Sequence, residues 1–248
     1  PQPAGAAPAA PAANDPNERI PALTNELGIV AARLMPADGN PASSPPVYGG
    51  LRHGFGSTAS VPTMTPRFAP GSEPGGNTTG GLWDDLALRG PSASNPYYVR
   101  GHLVNHHLGG SGETWANLTP LTQRANNRGG ASMLRTFETP VKQAVIDQRR
   151  TVRNFQVTAE PGQPSRSADL ADIDREIAQG TATPPQRTVR PVDELRRIRR
   201  VVHAEQFIPA SLSLRAEVVE PSGATRSVSS PVANTIDTDW RRYQLRRA

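Results

Sequence analysis

The chain of 248 residues contains no cysteine, which excludes a disulfide scaffold and any cysteine-ligated zinc site. Lysine is almost missing as well. Lys142 is the single one, so nearly all the positive charge is arginine. No apolar run approaches the length of a membrane span, and no signal-peptide pattern opens the chain. The first residue is Pro1 rather than Met, which reads as a piece cut from a larger parent protein.

What is abundant is proline and glycine, 26 and 22 residues, about a fifth of the chain and too much for a compact fold throughout. Residues 1–17 are Pro/Ala-rich without apolar periodicity and read as a tail or linker. A short helix is expected over residues 18–35, then a Pro/Ser stretch, with the folded domain starting near Val47. The expected division is a disordered leader over 1–46 and one domain over 47–248. The net charge is +5. Residues 1–50 hold four acids against two arginines, so the excess positive charge lies in the part that looks folded. Arginine enrichment also follows from a GC-rich genome. The uneven distribution points further, to a polyanionic partner such as nucleic acid.

Within the domain, short strands are expected over Val47-Tyr48 and between Phe55 and Met64, and a helical turn from Trp83 to Leu88. Tyr97-Tyr98-Val99 signals a strand with His102 at its end. A loop follows over 104–114, then a strand from Trp115 to Thr122. Helix is expected from Gln123 to Glu138, and a further helix with Pro140 at its first position. Val152 to Ala159 alternates as a strand. Leu170, Ile173 and Ile177 take helical spacing, with Gly180 placed to cap that helix, and Val192 to Val202 makes another. Ser211 to Val219 and Val228 to Ile236 complete the strands. The sum is an α+β domain, an antiparallel sheet with helices packed on it.

The residues that carry chemistry lie in Tyr98-Val-Arg-Gly-His-Leu-Val-Asn-His-His-Leu-Gly-Gly and in Trp115-Ala-Asn-Leu-Thr-Pro-Leu-Thr-Gln-Arg-Ala-Asn-Asn. Phosphodiester hydrolysis needs an activated water, neutralisation of developing charge and stabilisation of a leaving alkoxide. A neutral histidine accepts a proton near pH 7. A hard cation stabilises the phosphorane, and an Asn carbonyl with waters satisfies it. Arginine grips phosphate oxygens. A strand–loop–strand–helix order sets His102 opposite Asn126. His102, His106 and His107 also suggest a zinc triad, but the Gly-rich segment reads better as a loop in which Asn105 or one of these histidines touches substrate or orders the backbone. Arg124 and Arg135 are candidates for phosphate, and Glu138 for holding a metal-bound water or orienting an arginine. The arginines at 196, 197, 199 and 200 read as a solvated helix face.

These segments resemble the DNA/RNA non-specific endonucleases of the ββα-metal (His-Me finger) superfamily. Arg100-Gly101-His102 matches the last three residues of the Asp-Arg-Gly-His signature, Asn117-Leu-Thr-Pro matches the next segment, and Asn126 falls nine residues on. A subset found as toxin modules is closer still, through Val99-Arg-Gly-His-Leu, Leu108-Gly-Gly, Asn117-Leu-Thr-Pro-Leu-Thr and Pro140-Val-Lys-Gln-Ala-Val145. The resemblance covers residues 47–159 and 206–236 and leaves about 160–205 as a helical insertion. It implies His102 as general base, Asn126 as Mg²⁺ ligand with Mn²⁺ as a substitute, Asn117 as a site-ordering residue and Arg100 near phosphate. Asn105, His106, Arg124, Arg135 and Glu138 remain candidates for touching substrate. The chain departs from the signature at Val99, where the family has Asp.

The expectation is therefore a nuclease acting on DNA or RNA. It would be secreted or injected into a target cell from a delivery apparatus or larger parent, after residence in the producer cytoplasm, and be neutralised by an acidic immunity protein. A secreted nutritional nuclease and a non-catalytic nucleic-acid-binding module are the competing expectations.

Overall fold

The computed structural model describes residues 41–75 and 80–246. The expected helix over 18–35 lies outside the described residues. In chain order the structure has strands Val47–Tyr48 (β1), Leu51–Arg52 (β2), Phe55–Gly56 (β3) and Thr58–Met64 (β4), helix Leu82–Ala87 (α1), and strands Tyr98–His102 (β5) and Leu118–Thr122 (β6). A π-type helical turn, Arg124–Arg128, is followed by a continuous helical run over residues 134–147 (α2). Then come Val152–Glu160 (β7), helices Ser167–Thr181 (α3) and Val192–Glu205 (α4), and strands Ser211–Val219 (β8) and Thr225–Ala233 (β9).

Five strands make one antiparallel sheet in the order β1-β4-β7-β8-β9, while β5 and β6 pair separately, His102 opposite Leu118 and Tyr98 opposite Thr122. Alternation drives the sheet. In β8, Leu212, Leu214, Ala216 and Val218 are buried while Ser213 and Arg215 face out. That inner face meets Phe137, Val141, Ala144 and Val145 of α2, which recur at helical spacing, in the main hydrophobic core. The β5–β6 pair is tied to the sheet by the buried Asn234. Its Oδ1 accepts the Thr122 N–H at 2.8 Å and its Nδ2 donates to the carbonyls of Pro120 and Pro209.

Three expectations about helix ends are corrected. The helix expected over Gln123 to Glu138 stops after Arg128 at Gly129-Gly130 and resumes at 134, because two glycines hold helical backbone poorly. Pro140 does not start a helix. It sits inside α2, where the Thr139 N–H reaches back to the Leu134 carbonyl in a widened turn immediately before the ring that has no N–H to give. Gly180 does not cap α3, which runs on to Thr181. A Cβ there would stand 2.4 Å from Val192 Cγ2, so the glycine is needed for packing. The last strand also begins earlier than expected, at Thr225, and ends at Ala233 rather than Ile236.

The 160–205 segment is helical, as expected. α3 and α4 bury Ile173, Leu195, Ile198 and Val202 in a separate core with Trp240 and Tyr243. The arginines of α4 do more than meet solvent. Arg199 pairs with Asp174 of α3 and Arg200 with Asp85 of α1. At the end of α4, Glu205 is fully buried. Its carboxylate accepts from Arg89 (2.5 Å), Tyr98 (2.8 Å), Arg166 (2.8 Å) and Tyr243 (2.5 Å). Arg89 is stacked between the rings of Tyr97 and Tyr243, 3.6 Å from each centroid. Burial, reinforced by the Glu205 charge, pushes the Tyr98 hydroxyl well above its ordinary range, so it remains a donor.

Removing Glu205 would leave two arginines buried without their counter-charge. The Glu205→Ala variant is expected to lose roughly 3–5 kcal/mol of unfolding free energy. Chemical denaturation beside an exposed control such as Glu113→Ala checks this.

Candidate active site

The site is built on the last three residues of β5 and the turn after it. Arg100 and His102 share one face of the strand, flanking Gly101. A Cβ on Gly101 would stand 2.5 Å from Leu121 Cδ1 and 3.2 Å from Asn126 Oδ1. The missing side chain is therefore the space through which Asn126 reaches the Gly101 face of the strand, opposite the face that carries Arg100 and His102. Among the described residues the Asn126 side chain makes no hydrogen bond, so a hard, neutral carbonyl oxygen is available there. This donor chemistry fits an oxygen-seeking cation such as Mg²⁺. Val99 lies on the Gly101 face and packs against the main core. That is an apolar setting in which a carboxylate would need a partner.

His102 is buried, with Nε2 2.9 Å from the Ser72 carbonyl. A carbonyl only accepts, so Nε2 carries the proton and Nδ1 keeps its lone pair. Burial holds His102 below the ordinary histidine value, opposed by the Ser72 bond and Glu73 and helped by His106. Ser72 is itself pinned. Its N–H donates to the Gly110 carbonyl at 3.1 Å and its Oγ accepts from the Gly112 N–H at 3.0 Å. Arg100 donates to the Gly75 carbonyl at 2.8 Å, so residues 72–75 lie across both side chains.

Asn117 immediately precedes β6 and is fully buried. Its Oδ1 accepts the Val104 N–H at 2.8 Å, and its Nδ2 donates to the carbonyls of Val104 (3.0 Å) and Ser111 (2.9 Å). Its own carbonyl accepts from Leu103 N–H. One side chain thus closes the 103–117 loop directly behind His102. Gly110 is fixed by the same closure. A Cβ there would lie 1.6 Å from the Val104 carbonyl oxygen.

Asn105 caps the short 3₁₀ turn His106–Leu108, accepting from the His107 N–H at 2.9 Å, and donates to Glu138 Oε2 at 3.0 Å. Burial raises the Glu138 carboxyl, with Lys142 and the Asn105 bond pulling the other way. His106 meets Glu73, Nε2 to Oε1 at 3.1 Å. His107 is held down to about 3 by burial and by His106, Lys142 and His102, and so stays neutral.

The structure therefore gathers His102, Arg100, Asn117, Asn105, His106 and Glu138 around one loop, and places Asn126 against Gly101 of β5. Arg135 is exposed on α2. Arg124 lines a different groove with Tyr97, Arg128 and Arg242, to which His102 does not contribute. Two contributors were not anticipated, Ser72 and Glu73. Glu73 replaces His107 in the only histidine–carboxylate group among the described residues whose ligand atoms lie close together, Glu73, His102 and His106, all within 4.8 Å of one another. Pro70-Gly-Ser-Glu-Pro-Gly-Gly carries only a loop signal, and nothing local tells where such a loop lands.

No family model matches the chain, and no curated protein matches it in sequence. Solved structures similar in chain trace include NucA from Streptococcus agalactiae with magnesium bound, 15% identical with a TM-score of 0.47, covering 86% of this chain and 82% of that one. An extracellular nuclease is 12% identical, TM-score 0.42, over 84% and 94%. The Sda1 nuclease with bound zinc is 13% identical, TM-score 0.44, over 83% and 82%. At these identities and scores no residue role passes from them to this chain. No helix among the described residues is long and apolar enough to cross a membrane.

Asn117→Ala removes three buried hydrogen bonds and is expected to cost roughly 3 kcal/mol, read as a fall in unfolding free energy. Asn117→Asp keeps the bond from Val104 N–H but sets an acceptor against two carbonyls, and is expected to recover none of the loss.

Proposed function

We propose that the chain is a metal-dependent endonuclease that hydrolyses phosphodiesters of DNA, and of RNA, with His102 as general base. The observation that carries this reading is the hydrogen bond from His102 Nε2 to the Ser72 carbonyl, which leaves Nδ1 as a buried, oriented lone pair. A depressed histidine is unprotonated at neutral pH, as a general base must be. Nδ1 takes a proton from the attacking water. Arg100, on the same face of β5, offsets the charge that builds on the phosphate. Asn126 holds the metal through Oδ1. Mg²⁺, or Mn²⁺ in its place, supplies Lewis-acid stabilisation of the phosphoryl oxygens and the leaving 3′ oxygen when bound. Asn117 and Asn105 keep the loop in register, and the products carry 5′-phosphates.

The motif set of the toxin subset, with the basic character of the domain, supports delivery of this nuclease into target cells and protection of the producer by an acidic immunity protein that masks the site. Recovery of the same cleavage from a secreted parent with no neutralising partner would favour a nutritional role instead.

A plasmid-nicking assay tests the chemistry. His102→Ala is expected to lower kcat by about 10²–10⁴-fold with unchanged circular dichroism. Asn126→Ala is expected to raise the Mg²⁺ requirement strongly. Wild-type rates from either variant would refute the assignment of that residue. Because His102 is active when unprotonated and its proton affinity is lowered, the acid limb of kcat/KM should fall below the ordinary histidine value of about 6.5. An acid limb above that value would contradict the buried-base geometry.

A further inference from the structure

We propose that Glu73, His102 and His106 form a second cation site, specific for zinc-class ions, and that its occupation shuts the enzyme off. Their ligand atoms lie within 4.8 Å of one another, and His106 Nε2 is already 3.1 Å from Glu73 Oε1. Two histidines and one glutamate with an open fourth position is a coordination set zinc accepts at nitrogen bonds of about 2.0–2.1 Å. Donors around such an ion stand roughly 3.4 Å apart, so the triad has to close a little. Glu73 can move to do this, because its side chain is 72% exposed. The outer shell is already in place. Metal-bound histidines commonly donate the second ring N–H to a backbone carbonyl, and His102 Nε2 does so to Ser72.

The site sorts cations by ligand chemistry. Mg²⁺ seeks oxygen and keeps its waters, so it is served by Asn126 and poorly by two imidazoles. Zinc favours the imidazole pair. With Nε2–H committed to Ser72, His102 has only Nδ1 to offer a metal, the same lone pair that takes the proton from water. A zinc ion on the triad and a working base are therefore mutually exclusive. The inhibitory half of the proposal rests on the reading of His102 as base. The binding half rests on the proximity of the three side chains, with Nδ1 as the His102 nitrogen that meets the ion.

The test uses the intact chain and Zn²⁺ or Co²⁺ alone. Calorimetry without Mg²⁺ or nucleic acid should show one zinc per chain, and Co²⁺ should give the visible absorption of a four-coordinate site. Glu73→Gln and His106→Gln should each weaken binding roughly tenfold or more, in line with the loss of an inner ligand. In excess Mg²⁺, zinc should inhibit cleavage over the concentration range in which it binds. Measured against its own zinc-free rate, Glu73→Gln should need at least about ten times more zinc for half-inhibition than the wild type. Absence of stoichiometric zinc binding, or affinity unchanged in both variants, overturns the site. Zinc bound with undiminished cleavage overturns the inhibitory role. Failure of the functional reading looks different: His102→Ala remains active while zinc still binds the wild-type triad.

Discussion

The fold hangs on the buried carboxylate of Glu205. It is the last residue of α4, yet its four donors come from four other places: Arg89 after α1, Tyr98 at the first position of β5, Arg166 before α3, and Tyr243 near the C-terminal end of the described chain. A charge buried to this depth is tolerable only with such a complete shell. The consequence is positional. The strand that ends at His102 is held at its start by a residue of the helical insertion. Arg166 and Arg89 also bind the carbonyls of Thr238 and Asp237, which draws the chain after β9 into the same cluster. The insertion thereby acts as an anchor for β5.

From that anchor a second constraint operates at the other end of the strand. Asn117 closes the loop behind His102 with three bonds, Asn234 fastens β6 to the sheet, and Ser72 fixes the imidazole. The proposed base is thus held by polar groups that are themselves hydrogen-bonded, so little reorganisation accompanies proton transfer. Neither Arg100 nor His102 stands bare. Residues 72–75 contact both, and the same short segment supplies Glu73 to the histidine pair.

Much of this was legible in the sequence where the signal is local. The alternation in Ser211 to Val219 gave β8 to the residue, and the order of strand, loop, strand and helical turn around His102 and Asn126 was readable from spacing. Helix ends were less readable because tertiary packing decided them. Gly180 looks like a cap until Val192 is seen against it, and Pro140 looks like a helix start until the widened turn before it is seen. Arg196, Arg199 and Arg200 of α4 are exposed, as expected, but the pairing of Arg199 with Asp174 and of Arg200 with Asp85 was not readable because those acids lie on other elements. Ser72 and Glu73 were invisible for the same reason. They reach His102 across 30 residues of chain through a loop with no periodicity. His107 drew attention by adjacency, whereas His106 is the histidine that meets a carboxylate.

The most direct test of the account is where an oxygen-seeking cation sits. A crystal grown with Mn²⁺ and a short uncleavable oligonucleotide, measured at the manganese absorption edge, locates it by anomalous scattering. The account predicts a peak about 2.2 Å from Asn126 Oδ1, completed by waters and a phosphate oxygen, with His102 Nε2 still on the Ser72 carbonyl. A peak held by Glu73 and His106, with Asn126 away from the ion, would contradict it.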